Sequence, residues 1–359
     1  MKTHRTTAGL ARGLSLVEVV VASLALLAMS AAVLPMLGSG LRRSGVMISA
    51  NNLRTLAQGY AAYEASWGGR QFSYLREQMG NYASCSAYSS AAYPPQVVLG
   101  SDDTGALWGY WIPNCGNWVM LVPIPLGGSS TAPTLGELGS CHLPNARGPR
   151  EYVTTRFFDP VYYAPNDTLV YGALTANGLL TTPYEFPGSV VLNASFPSFQ
   201  SSYAYSAAAL WGTCVLRPVA DGGAQVPGSC PGSYRTPSAN QAAYPDLKTR
   251  MMEHRWCQDP PRLANPQYSQ PFPFHFNGAP ESRPGALFFD GHVSFAAMAE
   301  YAADDATALS QSGTDGLWSR DTAFGPGGIY STTAIGEFRA SPNFLTTGGI
   351  TGRDLLHAR

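Results

Sequence analysis

Few residues in this sequence have the type and spacing that chemistry demands. His254, His275 and His292 lie near Asp290 along the chain, and imidazole with carboxylate is a ligand set that several divalent ions accept. Asp102-Asp103, Asp304-Asp305 and the Asp290-Gly291-His292 turn supply oxygens suited to calcium, without the spacing of a dedicated binding loop. The competing reading, which we prefer, is that Asp290 and Gly291 shape a turn while the histidines hydrogen-bond nearby backbone. No metal and no cofactor is assigned. Six cysteines, Cys85, Cys115, Cys141, Cys214, Cys230 and Cys257, form no C-x-x-C pair and no zinc-like spacing. Their even count outside a membrane allows up to three disulfides, and Cys214 with Cys230 is the most local pairing. Buried free thiols are the alternative. There is no G-x-S-x-G, Walker loop, H-E-x-x-H or G-x-G-x-x-G after a strand. Nothing nominates a nucleophile, and the chain is not read as an enzyme.

One further charge stands out by its isolation. From Leu14 to Leu37 the run LSLVEVVVASLALLAMSAAVLPML holds 24 residues and a single charge, Glu18, a length sufficient to cross roughly 30 Å of hydrocarbon as a helix. A carboxylate there costs on the order of 3 kcal/mol on insertion scales, so Glu18 needs a partner. The preceding leader MKTHRTTAGLARG carries Lys2, Arg5 and Arg12, which favour a cytoplasmic N-terminus, although Arg42 and Arg43 beyond the run weaken that bias. An ordinary secretory signal cut near Ser30-Ala31-Ala32 is the bland reading. The acidic residue and the length of the run argue against it.

Gly13 followed by LSLVEVVVASLALL resembles the class III signal of type IV prepilins and type II secretion pseudopilins. The resemblance implies that prepilin peptidase cuts between Gly13 and Leu14 and methylates the new N-terminus. Glu18 becomes the fifth mature residue, able to pair with the amine of Leu14 on a neighbouring subunit. Pro35 falls at mature position twenty-two, where many pilins carry a helix-bending proline. Leu14 departs from the usual phenylalanine, a tolerated apolar change.

The elements around these residues follow from periodicity. In ISANNLRTLAQGYAAYEASWG, the residues Leu53, Leu56, Ala57, Tyr60, Tyr63 and Trp67 recur at intervals of three and four. This predicts an amphipathic helix that ends at Gly68-Gly69 and docks its aromatic stripe on a head. The stretch is also similar to the post-anchor segment of a pseudopilin-like family that ends in a prepilin-processing-associated His-x9-Asp-Gly motif. FHFNGAPESRPGALFFDGHV is similar to that motif through His275, Asp290, Gly291 and His292, but fourteen residues separate His275 from Asp290. ALFFDGHVSF itself predicts a tight β-hairpin with a two-residue Asp-Gly turn. Short apolar runs at 106–112, 117–125, 168–174, 189–195 and 201–211 read as further strands, and 126–150 and 217–245 as loops.

Composition bounds the rest. Charged residues make up only 13% of 359 positions with a net charge of −1, which leaves no electrostatic footprint for nucleic acid. The 38 glycines and 28 prolines argue against a coiled coil or a helical bundle. The expected fold class is α+β: a long N-terminal pilin-like helix, transmembrane then amphipathic, packed on a β-rich, loop-rich globular head. The expected organisation is a cleaved leader at 1–13, a helix at 14–67 that is transmembrane in 14–37, and an extracytoplasmic head at 68–359 with the hairpin near 286–295. The expected function is a structural pseudopilin or pilin-like subunit assembled into a pilus or type II secretion pseudopilus. Its partners are other pilin subunits, prepilin peptidase, the inner-membrane assembly platform and the membrane. It would sit in the inner membrane by a single pass, head outward, and enter a filament on assembly. The alternative is a membrane-anchored module that binds polysaccharide through exposed aromatics.

Overall fold

The computed structural model describes residues 16–74, 96–101, 104, 106–111, 140–167, 170–181, 201–225, 230–253, 257–258, 274–275, 283–319, 321–322, 325–326 and 342–358. Gly13, Leu14, Cys85, Asp102-Asp103, Cys115, His254 and the strands expected at 117–125 and 189–195 lie outside these residues. The chain divides into two compact units, Met1–Gly45 and Val46–Arg359.

The first unit contains the opening part of helix α1 (Leu16–Ser66). Leucine, alanine, valine and methionine dominate it, and all but valine are good helix formers. The helix runs through Pro35, Gly38, Gly40 and Gly45, where a ring or a missing Cβ weakens a helix without forbidding it.

In the second unit the last part of α1 buries the predicted stripe. Leu53, Leu56 and Tyr60 are fully buried, Ala57 and Tyr63 are half-buried, and Trp67 just beyond the helix is exposed. The Tyr60 and Tyr205 rings lie 5.1 Å apart, and Tyr63 meets the edges of Tyr152 and Phe72. Gly59 permits this approach, since a Cβ there would sit 2.2 Å from the Val153 side chain. The helix stops where the sequence predicts: Gly68 and Gly69 take φ of 62° and 82°, and the Gly69 N–H donates to the Glu64 carbonyl at 2.7 Å. Only glycine adopts this left-handed C-terminal cap at little cost.

Around it run β1 (Gln96–Ser101), β2 (Leu107–Trp111), α2 (Arg147–Arg150), α3 (Val170–Ala176), β3 (Tyr203–Tyr205) and α4 (Ala207–Leu210). These are followed by β4 (Thr249–Glu253), β5 (Cys257–Gln258), β6 (Phe274–His275), β7 (Ala286–Phe288), β8 (Val293–Ser294), α5 (Met298–Ser312), β9 (Asp321–Thr322) and β10 (Gly325–Pro326). One four-stranded antiparallel sheet, in the order β3-β4-β7-β8, forms the centre, with β1-β2, β5-β6 and β9-β10 as separate pairs. All five β4 residues are buried.

The expected fold class is corrected on two counts. Among the described residues, no helix is long and apolar enough to cross a membrane. The described head is also not β-rich, because most of its strands are two or three residues long and expected strands fold otherwise. Of the strand expected at 168–174, residues 170–174 lie in helix α3, because the Asp167 carboxylate accepts the Val170 N–H at 3.1 Å and so caps a helix start. In 201–211, the strand β3 stops at Tyr205, and Ser206 caps the alanine-rich turn α4 by accepting from the Ala209 N–H. A local cap outweighs the weak strand preference of valine and tyrosine.

Candidate functional site

The hairpin is present, and its loop differs from the expected one. Ala286 pairs with Ser294 and Leu287 with Val293, while the Phe288 N–H donates to the His292 carbonyl and the Gly291 N–H to the Phe288 carbonyl, both at 3.0 Å. The connection is therefore the three-residue loop Phe289-Asp290-Gly291 rather than a two-residue Asp-Gly turn. Gly291 holds φ of 91°, the left-handed position that follows a type I turn in such loops. Asp290 Oδ1 accepts the His292 N–H at 3.0 Å and contacts His292 Nδ1 at 2.6 Å. The His292 ring stacks on Phe288 with centroids 4.3 Å apart. Both histidine and aspartate thus act within the turn. His275 is not brought to them by strand pairing: it lies in β6, opposite Cys257 of β5, in a different sheet.

Asp304 and Asp305 also hold backbone. Asp304 accepts the Leu356 N–H at 2.9 Å and Asp305 the Trp318 N–H at 3.3 Å, both buried. No group of three or more His, Cys, Asp or Glu able to hold a metal occurs among the described residues. Cys214 and Cys230 stand at disulfide distance, their Cα atoms 6.3 Å apart. Cys141 is buried in the hydrophobic core, and Cys257 lies in β5. Of the assembly residues, Glu18 and Pro35 lie in α1.

Polar clusters absent from the sequence reading converge on β4. Lys248 Nζ donates to Asp354 at 3.0 Å, Thr346 at 2.6 Å and Ser206 at 2.9 Å, and Asp354 also accepts the Thr249 N–H. Burial pulls the Lys248 pKa down, and the Asp354 charge opposes it. A lysine beside a serine hydroxyl can activate a nucleophile, but Lys248, Thr346 and Asp354 are 0% exposed and Ser206 1%. Ser206 Oγ is also committed to the Asn343 carbonyl. No substrate reaches this cluster, so its role is to hold the C-terminal segment on the sheet.

At the far end of the strand, Glu253 accepts from Ser49 Oγ and, at 2.7 Å, from the Gly285 N–H. Ser49 Oγ also meets the Tyr203 hydroxyl at 2.9 Å, and Asn52 donates to the Pro160 and Tyr163 carbonyls. Burial pushes the Glu253 carboxyl up to about 7, against the lowering effect of those two donors. Between the two clusters, Arg250 pairs with Glu64 at 2.5 Å and lies over the Tyr60 and Phe289 rings. Burial raises the Glu64 pKa, and Arg250 opposes the shift. These charges bind α1 to the sheet and are structural. The one available sequence signal was Lys248, since the chain has only two lysines.

No protein family, curated protein or solved structure matches the chain.

Proposed function

We propose that the protein is a pseudopilin-like structural subunit, cut by prepilin peptidase between Gly13 and Leu14 and built into a pilus or secretion pseudopilus. The reading rests on the junction of Gly13 with LSLVEVVVASLALL, in which Glu18 is the fifth residue after the cut. The precursor is held at the inner membrane with its head outward, and its partners are other such subunits, the peptidase and the assembly platform. Exposed apolar side chains on α1 support this. Val19, Val20, Val21 and Leu24 in the first unit are about half exposed or more, as are Met47 and Ile48 in the second. Apolar residues in such runs require cover, which packing against other subunits would supply. Glu18 then sets register through the Leu14 amine of a neighbour.

The test is the intact mass of membrane-extracted protein: removal of 13 from 359 residues leaves a methylated chain of 346. A start at Ala31 or Ala32 overturns the reading. Glu18→Ala should preserve precursor level and lower incorporation into filaments, measured by sheared-filament yield.

A further inference from the structure

The cations of this chain are almost all arginine. Of 22 basic residues two are lysines, and Lys2 lies in the leader, so Lys248 is the one lysine beyond it. Lys248 and its partner Asp354 are both fully buried. For a buried ion pair arginine is the better residue, because its planar fork bonds a carboxylate twice and is weakly hydrated. What lysine has and arginine lacks is an amine that gives up a proton and becomes a nucleophile.

The hydrogen bonds around Nζ aim it at the carboxyl group. Ser206 spends its hydroxyl proton on the Asn343 carbonyl at 2.7 Å, and Thr346 spends its own on Asp354 Oδ1 at 2.5 Å. Each hydroxyl therefore accepts a proton from Nζ, at 2.9 Å and 2.6 Å respectively. The third direction of the nitrogen points at Asp354 Oδ2, 3.0 Å away. Once that third proton passes to the carboxylate, the same direction holds a lone pair facing the carboxyl group. Burial favours the transfer, since it holds the Lys248 pKa below its ordinary value. The frame is fixed as well: the Asp354 N–H donates to the Leu247 carbonyl and Oδ2 accepts the Thr249 N–H, both at 2.9 Å. Well-oriented groups held at contact distance react at effective concentrations of about 10⁵–10⁸ M.

We propose that Lys248 and Asp354 close into an amide after folding, with Nζ bonded to the Asp354 Cγ and one water released. The ammonium brings three protons and the carboxylate none. Nζ gives one proton to Oδ2 and attacks Cγ, while Oδ1 takes the negative charge under the Thr346 hydroxyl. Oδ2 then leaves as water with a second proton from Nζ, and the third stays on the amide nitrogen. No oxidant, metal or outside reactant takes part, and the exclusion of water opposes hydrolysis back to the pair. The bond fastens the C-terminal segment to the residue before β4 across 106 positions. As a covalent link it restricts the unfolded chain in the way a disulfide does, and it does not depend on processing at Gly13.

Mass spectrometry of the full processed chain, reduced and denatured, tests this. The chain should be lighter than its sequence by one water. Trypsin should release residues 236–250 joined to 354–359, with no cut at Lys248. In samples taken at intervals after synthesis, Thr346→Val should delay the linked form at least tenfold, and Thr346→Ser should restore it. Lys248→Arg, which keeps the cation and cannot form the bond, should keep the full mass. A start other than Leu14 changes the N-terminal peptide and leaves the linked one as it is, so this proposal and the processing reading fail separately. A wild-type chain at full mass, a free 354–359 peptide, a lost water that maps elsewhere, as in a succinimide at Asp290-Gly291, or normal linking in Thr346→Val would each overturn the proposal.

Discussion

The hairpin loop at 289–291 and the strand β4 pack against each other, yet they use their polar residues in opposite ways. In the loop, Asp290 bonds His292 two positions away, and His292 stacks on Phe288. Both contacts of Asp290 and His292 are local. On β4 and the residue before it, Lys248 reaches 106 positions to Asp354, Arg250 reaches 186 to Glu64 and Glu253 reaches 204 to Ser49. A turn motif catches the eye because its residues satisfy one another within a few positions. The residues that hold the head together are charges in and beside a fully buried strand, each completed by a distant segment. Prominence in the sequence and structural consequence are thus separated, and the two regions should respond differently to mutation.

The largest effect should come from Lys248→Met. It leaves the fully buried Asp354 without its cation, and removing one partner of a buried pair costs about 3–5 kcal/mol. Urea denaturation measures this, and the double variant Lys248→Met with Asp354→Leu should recover a substantial part. If the single variant unfolds like the wild type, the contrast between strand and loop fails.

Glu253 sharpens the contrast through pH. Its folded pKa, about 7, lies above the ordinary value of 4.5, because burial disfavours the carboxylate more than the Ser49 and Gly285 donors favour it. Asp167 adds a smaller push in the same direction. The folded chain therefore binds this proton more tightly than the unfolded chain does. The stability it brings is fully present below pH 4.5 and is lost as the pH rises through 7. The full change is about 3 kcal/mol at most. Denaturation midpoints at pH 5 and pH 8 should differ in the wild type, and Glu253→Gln should flatten that difference.

On the loop side, Gly291→Val should cost about 1–3 kcal/mol. The position has φ of 91°, and a Cβ there meets nothing within 4 Å, so the cost is purely conformational. Thermal melts compare it with Gly291→Ala, which should be milder.

The smallest effect should be that of His292→Ala, within about 0.5 kcal/mol as for most surface changes. Its interactions are a half-exposed contact with Asp290 and a stack on Phe288. A chelator should leave the melts of both forms unchanged. A chelator-sensitive melt that His292→Ala abolishes would restore the metal reading of the loop.

Much of the architecture that depends on neighbours in sequence could be read directly. The stripe Leu53, Leu56 and Tyr60 faces the core because helical periodicity puts those residues on one side, and Gly68-Gly69 ends the helix because few other residues accept the left-handed cap. The Cys214–Cys230 pair follows from short separation, and the hairpin from two apolar runs flanking Asp-Gly. The errors began where a single atom decided. Asp167 turned 170–174 from strand to helix, and one hydrogen bond between Phe288 and His292 set a three-residue loop in place of a two-residue turn.

The sequence by itself determined the docking stripe of α1 and the place of the hairpin, since each is encoded within a few residues of periodicity or turn chemistry. Only the tertiary structure decided that Lys248 and Asp354, Arg250 and Glu64, and Glu253 and Ser49 are partners. A buried charge must find its counterpart wherever the fold brings one, and the identity of that counterpart is a property of three-dimensional packing that no local pattern carries.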